Sequence, residues 1–216
     1  MNWMQVNVLA RESYRTAVNE WIGGARLYGG KVNGPALTAG PGSVRGTTDI
    51  EQRMMQSLHG VAPSIARNLA HVLASAWKMW ADGFQLRAPH AFPTLAAVPG
   101  PIAKSAPTVP IALRHGVSQG EVALQSAALT RALVTALRPQ AQSVPGNFDE
   151  AMRALASWVE ISFRDWRNTV MLTDLIGGGQ VPAFAPPYVP VGPVSQGDVV
   201  NSGPLFMGPR FGLISM

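Results

Sequence analysis

Gly29-Gly30-Lys31 gives the clearest sign of chemistry in the sequence, because glycine-rich loops that end in lysine can hold phosphate groups. The full phosphate-binding motif also needs a glycine five positions before the second glycine, and a hydroxyl residue directly after the lysine. Ala25 and Val32 occupy these two positions. The sequence therefore does not predict a nucleoside triphosphate site here.

The other residues that could support catalysis are scattered. None of the four histidines has a second histidine at metal-ligand spacing; they are His59, His71, His90 and His115. No G-x-S-x-G sequence marks a nucleophile. Nearly all Asp and Glu residues fall on predicted helices, in first turns or beside arginines, as on solvated helix faces. We therefore expect a protein that is not an enzyme and that has no metal or other cofactor.

The composition indicates a surface that other subunits cover. Only 13% of the 216 residues are charged, about half the usual share, and the chain has 22 glycines and 18 prolines. The net charge of +5 comes from 14 arginines and 3 lysines against 12 acidic residues. Arginine is favoured at interfaces and at phosphates because its planar guanidinium group makes paired hydrogen bonds. A surface so poor in charge is either sticky or covered by neighbours.

Three classes of protein are excluded or disfavoured by simple features of the sequence. The absence of cysteine excludes disulfides and cysteine-bound metal. The first residues lack the basic-then-apolar pattern of a signal peptide, so we expect none. No apolar run reaches about 18 residues, so we expect no transmembrane helix.

Helical periodicity predicts a mainly α fold of about five helices, joined by long loops rich in proline and glycine and followed by an extended C-terminal arm. Ser118 and Glu121 have the spacing of a capping box at the start of the fourth helix. Asn147 caps the fifth helix, which the glycines at 177–179 should end. The predicted helices span residues 6–22, 47–59, 65–84, 118–138 and 147–176.

Three segments are predicted to be loops or arms. Residues 23–46 contain eight glycines and no acid, residues 87–116 contain six prolines, and the last 40 residues contain only Asp198 and Arg210 as charges. Disordered tails are usually polar or highly charged, whereas this tail is apolar. We therefore expect the arms and the tail to lie on the surfaces of other chains.

Two pairs of similar segments indicate a degenerate internal duplication. Residues 107–111 and 187–191 share the pattern P-x-V-P-[IV], and residues 117–122 and 194–199 share V-S-Q-G-[ED]-V. Each copy is predicted to contain a helix, a Pro-rich arm and a V-S-Q-G turn. The predicted divisions are an N-terminal part at 1–63, a first repeat at 64–138 and a second repeat at 139–216.

The arms, the V-S-Q-G turns and the tail are the predicted contact surfaces, since burying apolar area stabilises by roughly 25 cal/mol per Å². The candidate interaction residues are Pro107, Val109, Pro110, Val117, Ser118, Glu121, Pro187, Tyr188, Val189, Pro190, Val194, Ser195, Asp198, Phe206 and Phe211.

In overall character the chain resembles the small structural proteins of tailed-phage virions. The features that carry this resemblance are the absence of cysteine, the abundance of Ala, Gly, Pro and Arg, the extended C-terminal arm and the lack of a signal peptide. The resemblance implies a capsid, neck, tail or baseplate subunit that is made in the host cytoplasm. Its partners would be copies of itself and other structural proteins of the same particle. No functional residues are carried over.

Two other functions fit parts of the sequence. Arg26, Lys31 and Arg45 lie in an acid-free loop, where counterion release would favour the phosphates of nucleic acid, as in a packaging or scaffold protein. Against this, aromatic residues are not interleaved with these cations. The helix that contains Trp77 and Trp80 would suit a membrane-active amphipathic protein, but its polar face has few cations.

Overall fold

The computed structural model of the chain describes residues 1–88, 90–92, 102–104, 109–180, 183–185, 189–191, 194, 196–201 and 203–212. Among these residues five α-helices overlap the five predicted ones, although α4 starts later and α5 ends earlier than predicted. They are α1 (Trp3–Gly24), α2 (Ile50–Ser57), α3 (Pro63–Gly83), α4 (Ser126–Leu137) and α5 (Phe148–Thr169). Short 3-10 helices occupy Leu113–His115, Gln119–Leu124 and Arg138–Gln140.

The prediction of a mainly α fold is wrong, because the described residues also form many short strands and the fold is mixed α and β. The strands are β1 (Arg26–Leu27), β2 (Lys31–Asn33), β3 (Ala36–Ala39), β4 (Val44–Arg45), β5 (Phe84–Ala88), β6 (Ile102–Lys104), β7 (Ile111–Ala112), β8 (Gly116–Ser118), β9 (Met171–Leu172), β10 (Leu175–Gln180), β11 (Ala183–Ala185), β12 (Val189–Val191), β13 (Gln196–Asn201) and β14 (Phe206–Met207).

One antiparallel sheet joins distant parts of the chain. Its strand order is β6-β10-β13-β2-β3-β5-β8. Strands from residues 1–63, from 64–138 and from 139–216 therefore share hydrogen bonds across a single sheet. Smaller sheets pair β1 with β4, pair β11 with β12, and join β14, β9 and β7.

The glycine-rich segment at 23–46, predicted as one loop, forms β1 to β4. Buried and exposed side chains alternate in these strands, as at Lys31, Val32 and Asn33. Gly34 has a φ of +59° in the two-residue turn between β2 and β3, a conformation that glycine adopts without strain. The glycines therefore make turns between short strands, and the long loop is not formed.

The three glycines at 177–179, predicted to end a helix, lie within β10, and α5 ends earlier, at Thr169. A Cβ atom on Gly179 would stand 1.9 Å from the carbonyl oxygen of Gln196. A Cβ atom on Gly197 would stand 1.9 Å from the carbonyl oxygen of Gly178. Glycine is needed here because the backbones of β10 and β13 approach too closely for side chains.

The helix predicted from Ser118 begins eight residues later, at Ser126. The Ser118 hydroxyl accepts a hydrogen bond from the Gly120 N–H, but this cap starts only the 3-10 helix Gln119–Leu124. Glu160 of α5 instead accepts from the Ser126 N–H at 2.9 Å. Hydrogen bonds from the Ser126 side chain and backbone hold the pKa of Glu160 below its ordinary value. The predicted Asn147 cap is confirmed, since its side chain accepts from the Glu150 N–H.

Helix α1 packs beside α5 in the same direction. The Asn7 amide donates to the carbonyl of Ala151, and the Arg11 guanidinium donates to the carbonyl of Ala154. At the N-terminal ends, the Trp3 ring lies 4.9 Å from the ring of Phe148. The two long helices therefore start at the same end and run side by side.

The core forms where α3 and α5 meet. Trp77 and Trp80 of α3 are buried against Phe163 and Trp166 of α5, with ring centroids 5.4 to 6.1 Å apart. Because both tryptophans of α3 are inside, neither is available as an anchor at a membrane surface. Among the described residues, no helix combines the length and hydropathy needed to span a bilayer.

Candidate interaction surfaces

The first V-S-Q-G copy is held between the C-terminal ends of α3 and α5. The Ser118 hydroxyl donates to the carbonyl of Trp80 at 2.7 Å. The Arg167 guanidinium pairs with the Glu121 carboxylate and donates a second hydrogen bond to the carbonyl of Gly116. Ser118 and Glu121, predicted as interaction residues, therefore make contacts within the chain.

Three exposed apolar side chains lie on this anchored copy or next to it. Val117, Val122 and Met79 are 61%, 56% and 57% exposed. Val117 lies on β8, an edge strand of the seven-stranded sheet, and the Met79 carbonyl faces Gly120. We call Met79, Val117 and Val122 the V-S-Q-G edge. Val122 lies on the 3-10 helix that follows β8, and Met79 lies on α3. Exposed apolar residues grouped beside a sheet edge are typical of a contact surface.

The first V-S-Q-G copy packs closely against α3 at Gly120. A Cβ atom there would stand 1.9 Å from the carbonyl oxygen of Met79, which is backbone and cannot rotate away. Gly120→Ala should therefore lower the free energy of unfolding by about 1–3 kcal/mol through overpacking. Urea denaturation followed by circular dichroism measures this loss.

Gly23→Ala is the matched control, because Gly23 lies in α1 and has no atom within 4 Å of its added methyl group. Alanine is the better helix former, so this variant should be unchanged or more stable by about 0.5–1 kcal/mol. Equal stability of Gly120→Ala and the unmodified chain would contradict the packing described for the first copy.

The second V-S-Q-G copy is not a turn, and that prediction is wrong, because Gln196–Asn201 form a strand inside the sheet. Val194 and Val199 are buried. Gly197, the counterpart of Gly120, also lies against a backbone carbonyl with no room for a side chain. In each copy the motif strand pairs antiparallel with a strand that precedes its Pro-rich segment, β5 with β8 and β10 with β13. The duplication itself stays a prediction.

The Pro-rich arms are described only in part. Val109 and Pro110 are exposed, whereas Val189 and Pro190 lie in β12, paired with β11. Pro107, Pro187, Tyr188 and Ser195 lie outside the described residues.

Two aromatic residues of the apolar tail, Phe206 and Phe211, pack on helices of their own chain. Phe211 is fully buried, and its ring lies 5.7 Å from Tyr14 and 5.6 Å from Trp77. Phe206 is partly buried against Trp166 at 5.4 Å. The expectation that these two residues lie on other subunits is therefore wrong, because α1, α3 and α5 supply the apolar surface that the tail needs.

The basic residues of segment 23–46 separate into two places. Lys31 forms an exposed ion pair with Asp198 across β2 and β13. Arg26 and Arg45 stand directly opposite each other on β1 and β4. Tyr28 is half-exposed, and the Arg45 guanidinium lies 5.6 Å from its ring centroid.

We call Arg26, Tyr28 and Arg45 the arginine face. The sequence interpretation overlooked Tyr28, which does lie between the cations Arg26 and Lys31. Tyr28 lies two residues after Arg26, and residues two apart share one face of a strand. The sequence therefore did contain a signal that places the two side chains on the same face.

A second exposed apolar surface lies at the start of α1. Met1, Met4 and Val8 are exposed and follow helical spacing. With Asn2, Gln5 and Leu9 they line an open groove of about 680 Å³. We call Met1, Met4 and Val8 the α1 stripe. The predicted helix began at residue 6, so the sequence interpretation missed this stripe.

A cleft of about 690 Å³ lies beside Arg45. Its carboxylates are Asp49, Glu51 and Asp82. Asp49 caps α2, Glu51 contacts His71, and Asp82 pairs with Lys78. Within the described part of the chain, no three metal-binding side chains converge. Each of the three carboxylates in the cleft therefore already has a partner within the chain.

Comparison with known protein families, with curated proteins and with solved structures found no match to the chain.

Proposed function

We propose that this chain is a non-enzymatic structural subunit of a large assembly, and that the assembly is a tailed-phage virion. The observation that supports this function is a pair of exposed apolar surfaces, the α1 stripe and the V-S-Q-G edge. Most single exposed hydrophobic residues need no explanation, but grouped ones are typical of contact surfaces.

The two surfaces lie at opposite ends of α5. Trp3, next to the α1 stripe, contacts Phe148 at the start of α5. Glu121, within the V-S-Q-G copy, pairs with Arg167 near its end. At 1.5 Å per residue, these two points of α5 are roughly 30 Å apart. The surfaces are therefore too far apart to cover each other within one chain.

Two different apolar surfaces at opposite ends suit a head-to-tail contact between copies. In such a contact the end of one subunit meets the other end of the next, and repetition generates a ring or a filament. Rings and tubes of identical subunits are the architecture of virion necks and tails. The low charge of the chain agrees with this role, because cores of interfaces are depleted in charged residues.

Complementation between two variants tests the head-to-tail contact. Val8→Asp should block the α1 stripe, and Val122→Asp should block the V-S-Q-G edge. Each variant alone should be a monomer, while an equimolar mixture should form dimers and nothing larger, because one intact contact remains. Native mass spectrometry and sedimentation velocity measure the species formed.

Val200→Asp is the matched control, since Val200 is 52% exposed but lies on β13, four strands away from β8. This variant should assemble like the unmodified chain. A chain that stays monomeric at its highest soluble concentration, or a mixture that forms no dimer, would contradict head-to-tail assembly. Absence of the chain from purified virions by mass spectrometry would contradict the virion role.

A further inference from the structure

The arginine face is built on a small, well-anchored pair of strands. Leu27 and Val44 are opposite each other and buried. Side chains alternate along a strand, so their neighbours Arg26 and Arg45 point to the outer side. Tyr28 continues this side, and its N–H donates to the carbonyl of Ser43 at 2.6 Å.

The two arginines repel each other in this position. Residues directly opposite in an antiparallel pair have Cβ atoms about 4.5–5.5 Å apart, and like charges there are destabilising. Arg26 and Arg45 donate hydrogen bonds to the nearby carbonyls of Ala25 and Gly42. Carbonyls carry no net charge, so both positive charges remain.

Neither arginine forms an ion pair with a carboxylate of the described residues, although Arg45 lines the cleft that also contains Asp49, Glu51 and Asp82. Segment 23–46 has no acid, and the nearest acids in sequence are Glu20 and Asp49. Arg53 binds Glu20 through both carboxylate oxygens and holds its pKa below the ordinary value. Asp49 accepts from the Gln52 N–H as the cap of α2.

An exposed aromatic ring beside two guanidinium groups that form no ion pair within the described residues has the chemistry of a single-stranded nucleic-acid site. Guanidinium groups bind phosphate oxygens in pairs of hydrogen bonds. Exposed aromatic rings stack bases without regard to sequence, and duplex DNA does not offer its base faces in this way. Tyr28 stands about 7 Å along the strand from Arg26, within reach of one nucleotide.

We propose that the arginine face binds single-stranded nucleic acid, with phosphates on Arg26 and Arg45 and a base stacked on Tyr28. This site does not depend on the head-to-tail contact, since it shares no residue with the α1 stripe or the V-S-Q-G edge. A subunit of a nucleic-acid-containing particle would then carry a separate surface for its cargo.

Fluorescence anisotropy with a labelled oligothymidylate, over a series of salt concentrations, tests the proposal. The double variant Arg26→Ala/Arg45→Ala should weaken binding by about tenfold or more, and the slope of log affinity against log salt should fall by about 1.4 for the two phosphates lost. Tyr28→Ala should weaken binding by about tenfold, whereas Tyr28→Phe should bind normally because it keeps the ring.

The matched control is Arg67→Ala/Arg131→Ala, which removes the same charge from two exposed arginines on α3 and α4. It should change binding by less than twofold. Equal weakening in both double variants would overturn the proposal, because the attraction would then be diffuse. Binding only to anionic phosphatidylglycerol vesicles, or no binding to the oligonucleotide at all, would also overturn it.

Thermal unfolding separates loss of binding from loss of fold. Removing Arg26 and Arg45 relieves their repulsion, so the double variant should unfold at the same temperature as the unmodified chain or higher. An anisotropy loss accompanied by a lower unfolding temperature would count against a direct contact with the oligonucleotide.

Discussion

Trp77→Ala should lower the free energy of unfolding by about 3–5 kcal/mol, at the upper end for a single core truncation. Trp77 is buried on α3, and its ring contacts five others, which belong to α1, α3, α5 and the tail. They are Trp21, Trp80, Phe163, Trp166 and Phe211, at centroid distances of 5.0 to 6.1 Å. One truncation therefore opens a cavity that adjoins most of the core.

Trp77→Phe separates the ring contacts from the indole N–H. That N–H is buried and has no acceptor among the described residues, so phenylalanine breaks no hydrogen bond. Trp77→Phe should lose less than half as much stability as Trp77→Ala, because most of the apolar contact remains. Chemical denaturation with circular dichroism at two wavelengths measures both losses.

Trp158→Ala serves as a second comparison. Trp158 is only partly buried, and Phe211 is its one ring partner among the described residues. Trp158→Ala should therefore lower the free energy of unfolding by less than Trp77→Ala does. Equal losses at the two positions would show that the ring cluster around Trp77 is not the centre of the core.

The helices were predictable because their signal is local. In α3 the residues Ile65, Leu69 and Leu73 recur at every fourth position, and all three are buried. A helix of 21 residues repeats this signal over several turns. Caps also act locally, and Asn147 needs only the N–H of Glu150 three residues later.

The sheet was not predictable because its signal is short and non-local. A strand such as Lys31–Asn33 shows one alternation only, which any loop could show. Its partner Asp198 is 167 residues away. Gly179, within the glycine run that looks like a helix breaker, is required by the close approach of another strand. That strand is not visible from the local sequence.

The exposure of the two V-S-Q-G copies was also not predictable from the local sequence. Val117 of the first motif copy is exposed, but Val194 of the second is buried. Nearly identical hexapeptides reach different environments because the rest of the fold decides what covers them. The tail poses the same problem, since an apolar arm has the same composition whether its own helices or another subunit covers it.

Phe211→Ala distinguishes these two ways of covering the tail. Phe211 is fully buried, and the Asn19 side chain holds its backbone on both sides. The Asn19 carbonyl oxygen accepts from the Phe211 N–H at 2.9 Å, and the Asn19 amide donates to the Phe211 carbonyl at 3.1 Å. Truncation should therefore destabilise the isolated chain by about 3–5 kcal/mol, measured by urea denaturation at a concentration where it is monomeric.

Phe206→Ala is the comparison for this prediction, because Phe206 is only partly buried and contacts the single ring of Trp166. It should cost about 1–2 kcal/mol, in proportion to the smaller apolar area that it buries. If Phe211 lay on a neighbouring subunit, Phe211→Ala would leave the unfolding midpoint of the monomer unchanged and would weaken only the assembly. A loss in the monomer instead assigns Phe211 to the folding of one chain, and the proposed contacts between subunits then depend on the α1 stripe and the V-S-Q-G edge.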